Sequence, residues 1–180
     1  VFHLSRTFVA GNGIALAPLP ERGRFPRGYA LGGPASQIDF QPSEEQNVRI
    51  RENILEILGP PAKAKFIFDV ATGWLAYLSP NNLLFLKKFP VYANRPSGEI
   101  TANNASIWYG SKENCGAFPS DNLPVEIEPI GPLEIIEPGG ERSFYEDWWL
   151  EDFVFPENRR VDLEKLRVII SSRKSRSDVN

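Results

Sequence analysis

Short apolar runs recur along the chain, and most end at a glycine, a proline or an Asn pair. That punctuation limits long helices and suits many short strands. Val1 to Leu19 reads as a strand, a Gly11-Asn12-Gly13 turn and a second strand from Ile14 to Leu19. Pro20 to Pro34 is a loop rich in Arg, Gly and Pro. Residues 44–58 (EEQNVRIRENILEIL) fit two templates: Ile50, Ile54, Ile57 and Leu58 have helical spacing, while the β-branched content favours strand. KAKFIFDVATGWLAYLS, 63–79, reads as a β-hairpin about Thr72-Gly73, and a turn at Asn81-Asn82 leads to a further strand, 83–89. IWYG at 107–110 reads as a strand end. Val125 to Glu128 and Leu133 to Ile136 read as short strands around Gly131-Pro132. After the Pro138-Gly139-Gly140 turn, Arg142 to Phe153 reads as a long aromatic strand. Asp162 is an N-cap for LEKLRVII and predicts a short terminal helix, followed by a polar, frayed end. Strands joined by turns without βαβ alternation predict an all-β fold, an antiparallel β-sandwich over residues 1–155, with a tail carrying the helix over 156–180.

The length, 180 residues, suits one domain with a proper core, and the 42% hydrophobic and 24% charged content place it with soluble globular chains rather than disordered ones. No apolar run reaches the roughly 18 residues of a membrane span. The chain starts at Val1 without a visible signal peptide and contains no Met, which reads as a processed form or a fragment. One cysteine, Cys115, and one histidine, His3, exclude an internal disulfide, a Cys/His metal cluster and an arguable Ser-His-Asp triad. No metal or cofactor is expected, although a carboxylate-bound Ca²⁺ without EF-hand spacing stays open. The net charge of −3 hides an asymmetry: residues 121–157 hold eleven acids and the single base Arg142. An acidic half and scattered bases argue against a nucleic-acid partner.

Within VEIEPIGPLE (125–134), Glu126 and Glu128 share one face of a strand and Val125 and Ile127 the other. Two carboxylates on one face can act as base and orienter, because like charge raises one of the two pKa values toward the working range. The wet side of an amphipathic strand explains the alternation equally well. The aromatics Trp74, Tyr77, Trp108, Tyr109, Trp148 and Trp149 suit stacking on the flat apolar faces of a sugar, and equally suit a sandwich core. Of Trp148 and Trp149, adjacent on a strand, at most one is core. Arg24 and Arg27 could hold the carboxylate or phosphate of an acidic sugar, or be a solvated loop. Arg95 and Glu99 flank a turn that could line a cleft, and Asp69 is an acid within an apolar strand. Lys87 and Lys88 straddle a strand, so one must point inward or protect an edge.

Three stretches in series carry a family resemblance: GNGIALAPLP (11–20), GWLAYLSPNNLLFLKKF (73–89) and VEIEPIGPLEIIEPGGERSFYEDWWL (125–150). Their order resembles the later part of galactose mutarotase-like (aldose 1-epimerase-like) proteins of the supersandwich fold, and above all their bacterial branch. Glu137-Pro138-Gly139-Gly140-Glu141 departs from that branch's ending by one inserted Gly. The resemblance covers most of residues 1–150 and implies that the N-terminal part of the family's sandwich is missing. It also implies a saccharide ligand and a soluble protein of the bacterial cytoplasm or periplasm. In the family a Glu in a late strand is the base at the anomeric hydroxyl, and Glu128 is the residue that matches it. The family's acid is a His in a His-Pro-Tyr type motif, which has no counterpart here. The resemblance thus implies either an epimerase-like isomerase with Glu128 as base, for which the residue types offer Glu126, Trp74, Trp108, Arg95 and Arg27 as candidate sugar contacts, or a non-catalytic carbohydrate-binding or structural accessory domain of a polysaccharide-processing protein.

Overall fold

The computed structural model describes residues 1–33, 37–92, 94–113, 115 and 123–176. Its strands are β1 (Thr7–Ala10), β2 (Ile14–Pro18), β3 (Ala30–Gly32), β4 (Ile38–Asp39), β5 (Val48–Arg51), β6 (Ile54–Ile57), β7 (Lys65–Phe68), β8 (Trp74–Ser79), β9 (Leu83–Lys88), β10 (Ala105–Tyr109), β11 (Pro124–Pro129) and β12 (Asp147–Asp152). One helix, α1 (Leu163–Ser172), follows them. The strands form two antiparallel sheets of six, ordered β1-β11-β10-β7-β3-β4 and β12-β9-β8-β2-β6-β5. They face one another across a core drawn from both, including Leu31, Phe66, Phe68, Ile107 and Ile127 on one side and Ala15, Leu55, Leu75, Tyr77 and Phe89 on the other. The chain is an antiparallel β-sandwich, as the turn-punctuated pattern predicts.

The second sheet is apolar on both faces. In β2, Ala15 and Ala17 enter the sandwich core while Ile14 and Leu16 face outward, yet all are buried. The outward set, with Trp74, Ala76, Leu78, Leu84 and Leu86, packs against Phe153, Val161, Leu163 and Leu166 from the C-terminal segment and α1. Asp162 caps α1 by accepting from the Lys165 amide at 3.0 Å. The segment is also clamped by charge. Glu56, fully buried, faces outward beside Leu16 and pairs with Arg49 and with Arg51, whose Nε lies 2.5 Å away. The same guanidinium groups donate to the carbonyls of Arg159 (2.7 Å) and Val161 (2.6 Å). Arg159 in turn donates to the Gly13 and Leu58 carbonyls. Residues 173–176, expected to fray, are tied down: Ser175 Oγ donates to Asp147 Oδ2 at 2.7 Å, and Arg173 pairs with Glu151.

Several local expectations are corrected by the pairing. Val1–Leu19 is not a hairpin: β1 pairs with β11, and β2 with β6 and β8 in the other sheet. The intervening turn crosses the sandwich, where the Tyr77 hydroxyl donates to the Ala10 carbonyl (2.6 Å) and accepts from the Gly13 amide (2.8 Å). A side chain at Gly13 would strike that ring, since an added Cβ falls 2.4 Å from it. Likewise β7 and β8 lie in different sheets. Residues 44–58 are a true hairpin, β5 to β6, turned by Glu52 and Asn53, both with positive φ. Their helix-like spacing arises because β6 is covered on both faces and so shows no alternation. Leu133–Ile136 is irregular, and the long aromatic strand shortens to β12. No helix among the described residues is long and apolar enough to cross a membrane.

Lys87, on β9, points between the sheets and is fully buried. It pairs with Glu146 at 2.8 Å and donates to Thr7 Oγ1 at 2.9 Å, fastening β9 to β1. Burial pushes its pKa down, against the opposing pull of Glu146. Trp148 is exposed and donates to Glu146 at 2.9 Å, while Trp149 is half-buried against the C-terminal cluster. Two ion pairs give a contrast that urea unfolding can measure. Glu56→Ala strands two partly buried guanidinium groups and is expected to cost about 3–5 kcal/mol. Arg167→Gln breaks only the exposed pair with Glu52, whose side chains are 49% and 58% accessible, and is expected to cost under about 1 kcal/mol.

Candidate functional site

With the second sheet covered, polar chemistry collects on the outer face of the first. Register places Glu126 opposite Trp108 and Phe8, and Glu128 opposite Ser106. Lys65 lies across from Trp108 on β7. The two glutamates share a face as the alternation predicts, but that face is not wet: Glu128 is 1% and Glu126 8% exposed. Each carboxylate oxygen of Glu128 has a partner. Oε2 accepts from Ser106 Oγ at 2.5 Å and meets Lys65 Nζ at 2.9 Å, and Oε1 meets Arg6 Nε at 3.1 Å. Arg6 also reaches Glu126 at 3.5 Å. Lys65 stands 3.8 Å from Glu99.

These contacts drive the two acids apart. Burial, then the hydrogen bond to Glu128 and its like charge, push Glu126 up to about 7, against the pull of Arg6 and Lys65. Glu128 is buried too, which alone would raise it. The Lys65 ammonium, with hydrogen bonds from Glu126, Ser106 and Lys65, instead holds it below the usual carboxylate range. Below about 7 the pair therefore holds a proton on Glu126, beside a charged Glu128.

Beside the pair lies a cleft of about 560 Å³, lined by Trp108, Lys65, Ile67, Glu99, Thr101 and Asn103 among others. Trp108 is half-buried. Asn103 donates to the Ala105 carbonyl at 2.8 Å and bonds the Thr101 hydroxyl, so the loop facing Trp108 is braced from within. The wall combines an aromatic, a cation, a carboxylate and amide or hydroxyl groups, a lining suited to a polar ligand with an apolar face. Among the described residues, no group of three or more His, Cys, Asp or Glu is placed to hold a metal ion.

Of the candidates, Glu126, Glu128 and Trp108 come together. Trp74 does not join them: it is buried on the outer face of the other sheet, beneath α1. Its position in β8, a strand covered on both sides, makes it core. Arg95 sits in the segment after β9, paired with Glu134 at 2.5 Å and lying over the Tyr92 ring, at a separate cleft of about 700 Å³. Arg24 lines that cleft too, but its guanidinium is taken by Asp69 at 2.6 and 2.9 Å. Arg27 lines a third cleft, of about 710 Å³, with Tyr29, Glu44 and Glu45. His3 packs its ring 5.2 Å from Phe144, which lies against the inter-sheet core. It lies ahead of β1 and is exposed, whereas the partners of Glu128 are Ser106, Lys65 and Arg6.

Sequence reasoning missed Lys65, Arg6 and Ser106. Alternation in KFIF puts Lys65 and Ile67 on one face of β7, which flags a cation at an outward position. Nothing local says that this face meets Glu128, 63 positions on by numbering. No family model matches the chain, and no curated protein or solved structure matches it either. The functional reading therefore rests on the geometry of the site and on the motifs.

The glutamate pair has a pH signature. Because the fold raises Glu126, the native state binds its proton more tightly than the unfolded chain, so this group's contribution falls as pH rises from about 4.5 to about 7. Glu128 has the opposite sign: its contribution is present above the ordinary carboxylate range and is lost as pH falls through its lowered value. Glu126→Gln, which keeps a donor toward Glu128, is expected to remove the Glu126 slope. The variant should be about 1–2 kcal/mol more stable than the parent at pH 8 and equal to it near pH 4. Urea unfolding of both proteins across that range provides the check.

Proposed function

We propose that the chain is a carbohydrate-binding β-sandwich that holds a saccharide on the outer face of its first sheet, in the cleft beside Trp108, and recognises rather than converts it. The observation that carries this reading is the closure of the Glu126–Glu128 pair. Ring opening and closing at an anomeric centre needs a base at the anomeric hydroxyl and an acid at the ring oxygen. Here Ser106 and Lys65 take one oxygen of Glu128 and Arg6 takes the other, and Arg6 reaches Glu126 as well. The pair instead serves as a polar floor that fixes Lys65, whose ammonium reaches both Glu128 and the cleft. Trp108 offers the apolar surface on which a pyranose face can stack, and Asn103, Thr101 and Glu99 offer groups of the kind that pair with hydroxyls. The resemblance of the three quoted stretches to galactose mutarotase-like proteins points to the same ligand class.

One observation favours a second reading. Glu126, held up to about 7, is a competent general acid near neutrality, the role that a histidine fills in the family. In that reading a sugar would displace Arg6, and the chain would be a mutarotase-like isomerase with Glu128 as base.

A saccharide array identifies ligands, and NMR exchange spectroscopy on a hit separates the readings. Binding without faster exchange between anomers is expected. Exchange that speeds up with the wild type and not with Glu126→Gln would select the isomerase. Trp108→Ala is expected to weaken binding at least about ten-fold, equivalent to about 1.4 kcal/mol, with the thermal midpoint little changed because the ring is only half-buried. Full-strength binding by Trp108→Ala in calorimetry would remove the cleft from consideration.

A further inference from the structure

The two sheets of the sandwich do not end together. Lys87 of β9 meets the hydroxyls of Ser5 and Thr7, so β9 lies opposite β1, the edge strand of the first sheet. β12 lies one strand further out than β9, and among the described residues no strand of the first sheet reaches over it. Trp148 and Leu150 pair across from Lys87 and Phe85, whose side chains face the sandwich interior, so they share that inward face. They are nonetheless 55% and 64% exposed. An apolar groove of about 330 Å³ runs here between β1 and β12, lined by Thr7, Val9, Phe85 and Leu150 among others.

The free edge of β1 is the other wall of the groove. The Ser5 amide donates to the Pro129 carbonyl and the Gly131 amide to that of His3, so odd-numbered residues of this segment turn their backbone groups toward β11. A period of two then turns the N–H and C=O of Arg6 and Phe8, and the N–H of Ala10, away from β11 and into the groove. The Ala10 carbonyl on that edge is taken by the Tyr77 hydroxyl. The step is one strand wide. A second copy joined edge to edge through its own β1 would drive its own β9 into the space of this β12, so the groove admits a lone strand and not another sheet. Charge specifies the strand further. On β12, Glu151 pairs with Arg173 and Asp147 accepts from Ser175. Asp152 is exposed, shares the face of Trp148 and Leu150, and makes no ion pair among the described residues. It lies across from Leu83, at the end of the groove that Ala10 lines.

We propose that this groove takes one extended segment of a partner protein, which adds to β1 as an antiparallel strand and closes the sandwich over β12. Segment residues opposite Thr7 and Val9 point inward and are apolar, covering Trp148 and Leu150. The next inward residue toward the segment's N-terminus is a Lys or Arg that meets Asp152. The surface is separate from the Trp108 cleft and stands whether or not the saccharide reading holds.

The test titrates the full chain with the end-blocked peptide Lys-Thr-Val-Thr-Val-Thr-Val and follows amide and indole N–H shifts by NMR. Its central threonine is set opposite Phe8. Shifts are expected at the Phe8 and Ala10 amides and at the Trp148 indole. Methylating the amide nitrogen of the central threonine removes its hydrogen bond to the Phe8 carbonyl and is expected to weaken binding at least about ten-fold. Replacing the peptide's lysine by glutamate should weaken binding at least about three-fold, and Asp152→Asn should bring the two peptides within about two-fold of each other. Asp152 is exposed, so that variant keeps the fold. Absence of binding at millimolar concentrations, full-strength binding by the methylated peptide, or an undiminished lysine preference in Asp152→Asn would each overturn the proposal. So would a dimer in sedimentation equilibrium that protects the Phe8 amide from exchange, because the occupant would then be a second copy.

Discussion

The second sheet is apolar on both of its faces, and the rest of the molecule is arranged around that constraint. Strands β2, β6, β8 and β9 carry hydrophobic side chains inward to the sandwich and outward as well. An open sheet of that composition would be an association hazard. The C-terminal segment and α1 meet the outward set. Their hold is more than hydrophobic, because Glu56 is buried beneath them and draws Arg49 and Arg51 into contact with the segment's own carbonyls. One sheet thus gives up its outer face to structure, and the other keeps its outer face for chemistry.

Among the described residues, the buried ions Glu56, Lys87 and Glu128 each have an opposite charge within reach. Glu56 has two guanidinium groups, Lys87 has Glu146, and Glu128 has Lys65 and Arg6. Glu126, raised first by burial and then by its neighbour Glu128, keeps its proton to about 7. The cost of burying two carboxylates side by side is lowered to that of burying one. This is why the two glutamates, chemically identical in VEIEP, are distinct in the fold. The difference comes from their neighbours on other strands: Glu128 faces Ser106 and a lysine, while Glu126 faces Trp108 and Phe8.

The β class was legible because turn residues interrupt apolar runs at short intervals, and the terminal helix because Asp162 precedes an amphipathic run. The shared face of Glu126 and Glu128 followed from a period of two. What stayed hidden was everything set by partners distant in sequence. The Gly11–Gly13 turn and the stretch between Phe68 and Trp74 look like hairpin turns, yet both carry the chain from one sheet to the other. Local sequence marks a reversal and not the sheet in which the next strand lands. Trp74 and Trp108 are indistinguishable as residues, but one lies under a helix and the other beside a cleft. In the same way, β6 read as half-helical because a strand covered on both faces has no alternation to display.

The ladder between β1 and β11, with Thr7 opposite Ile127, joins the first strand to one far along the chain, and the Glu56 clamp joins the middle to residues beyond Arg159. Both closures are non-local, which slows folding because loop entropy is lost before the contacts form. During synthesis, Ile14, Leu16, Leu84 and Leu86 would emerge from the ribosome well before Val161, Leu163 and Leu166 exist to cover them. For that interval the nascent chain displays a bare apolar sheet face, the kind of surface that chaperones hold and that nascent chains aggregate through. The helix that covers this face is therefore also the element whose late arrival sets how long the face must be guarded.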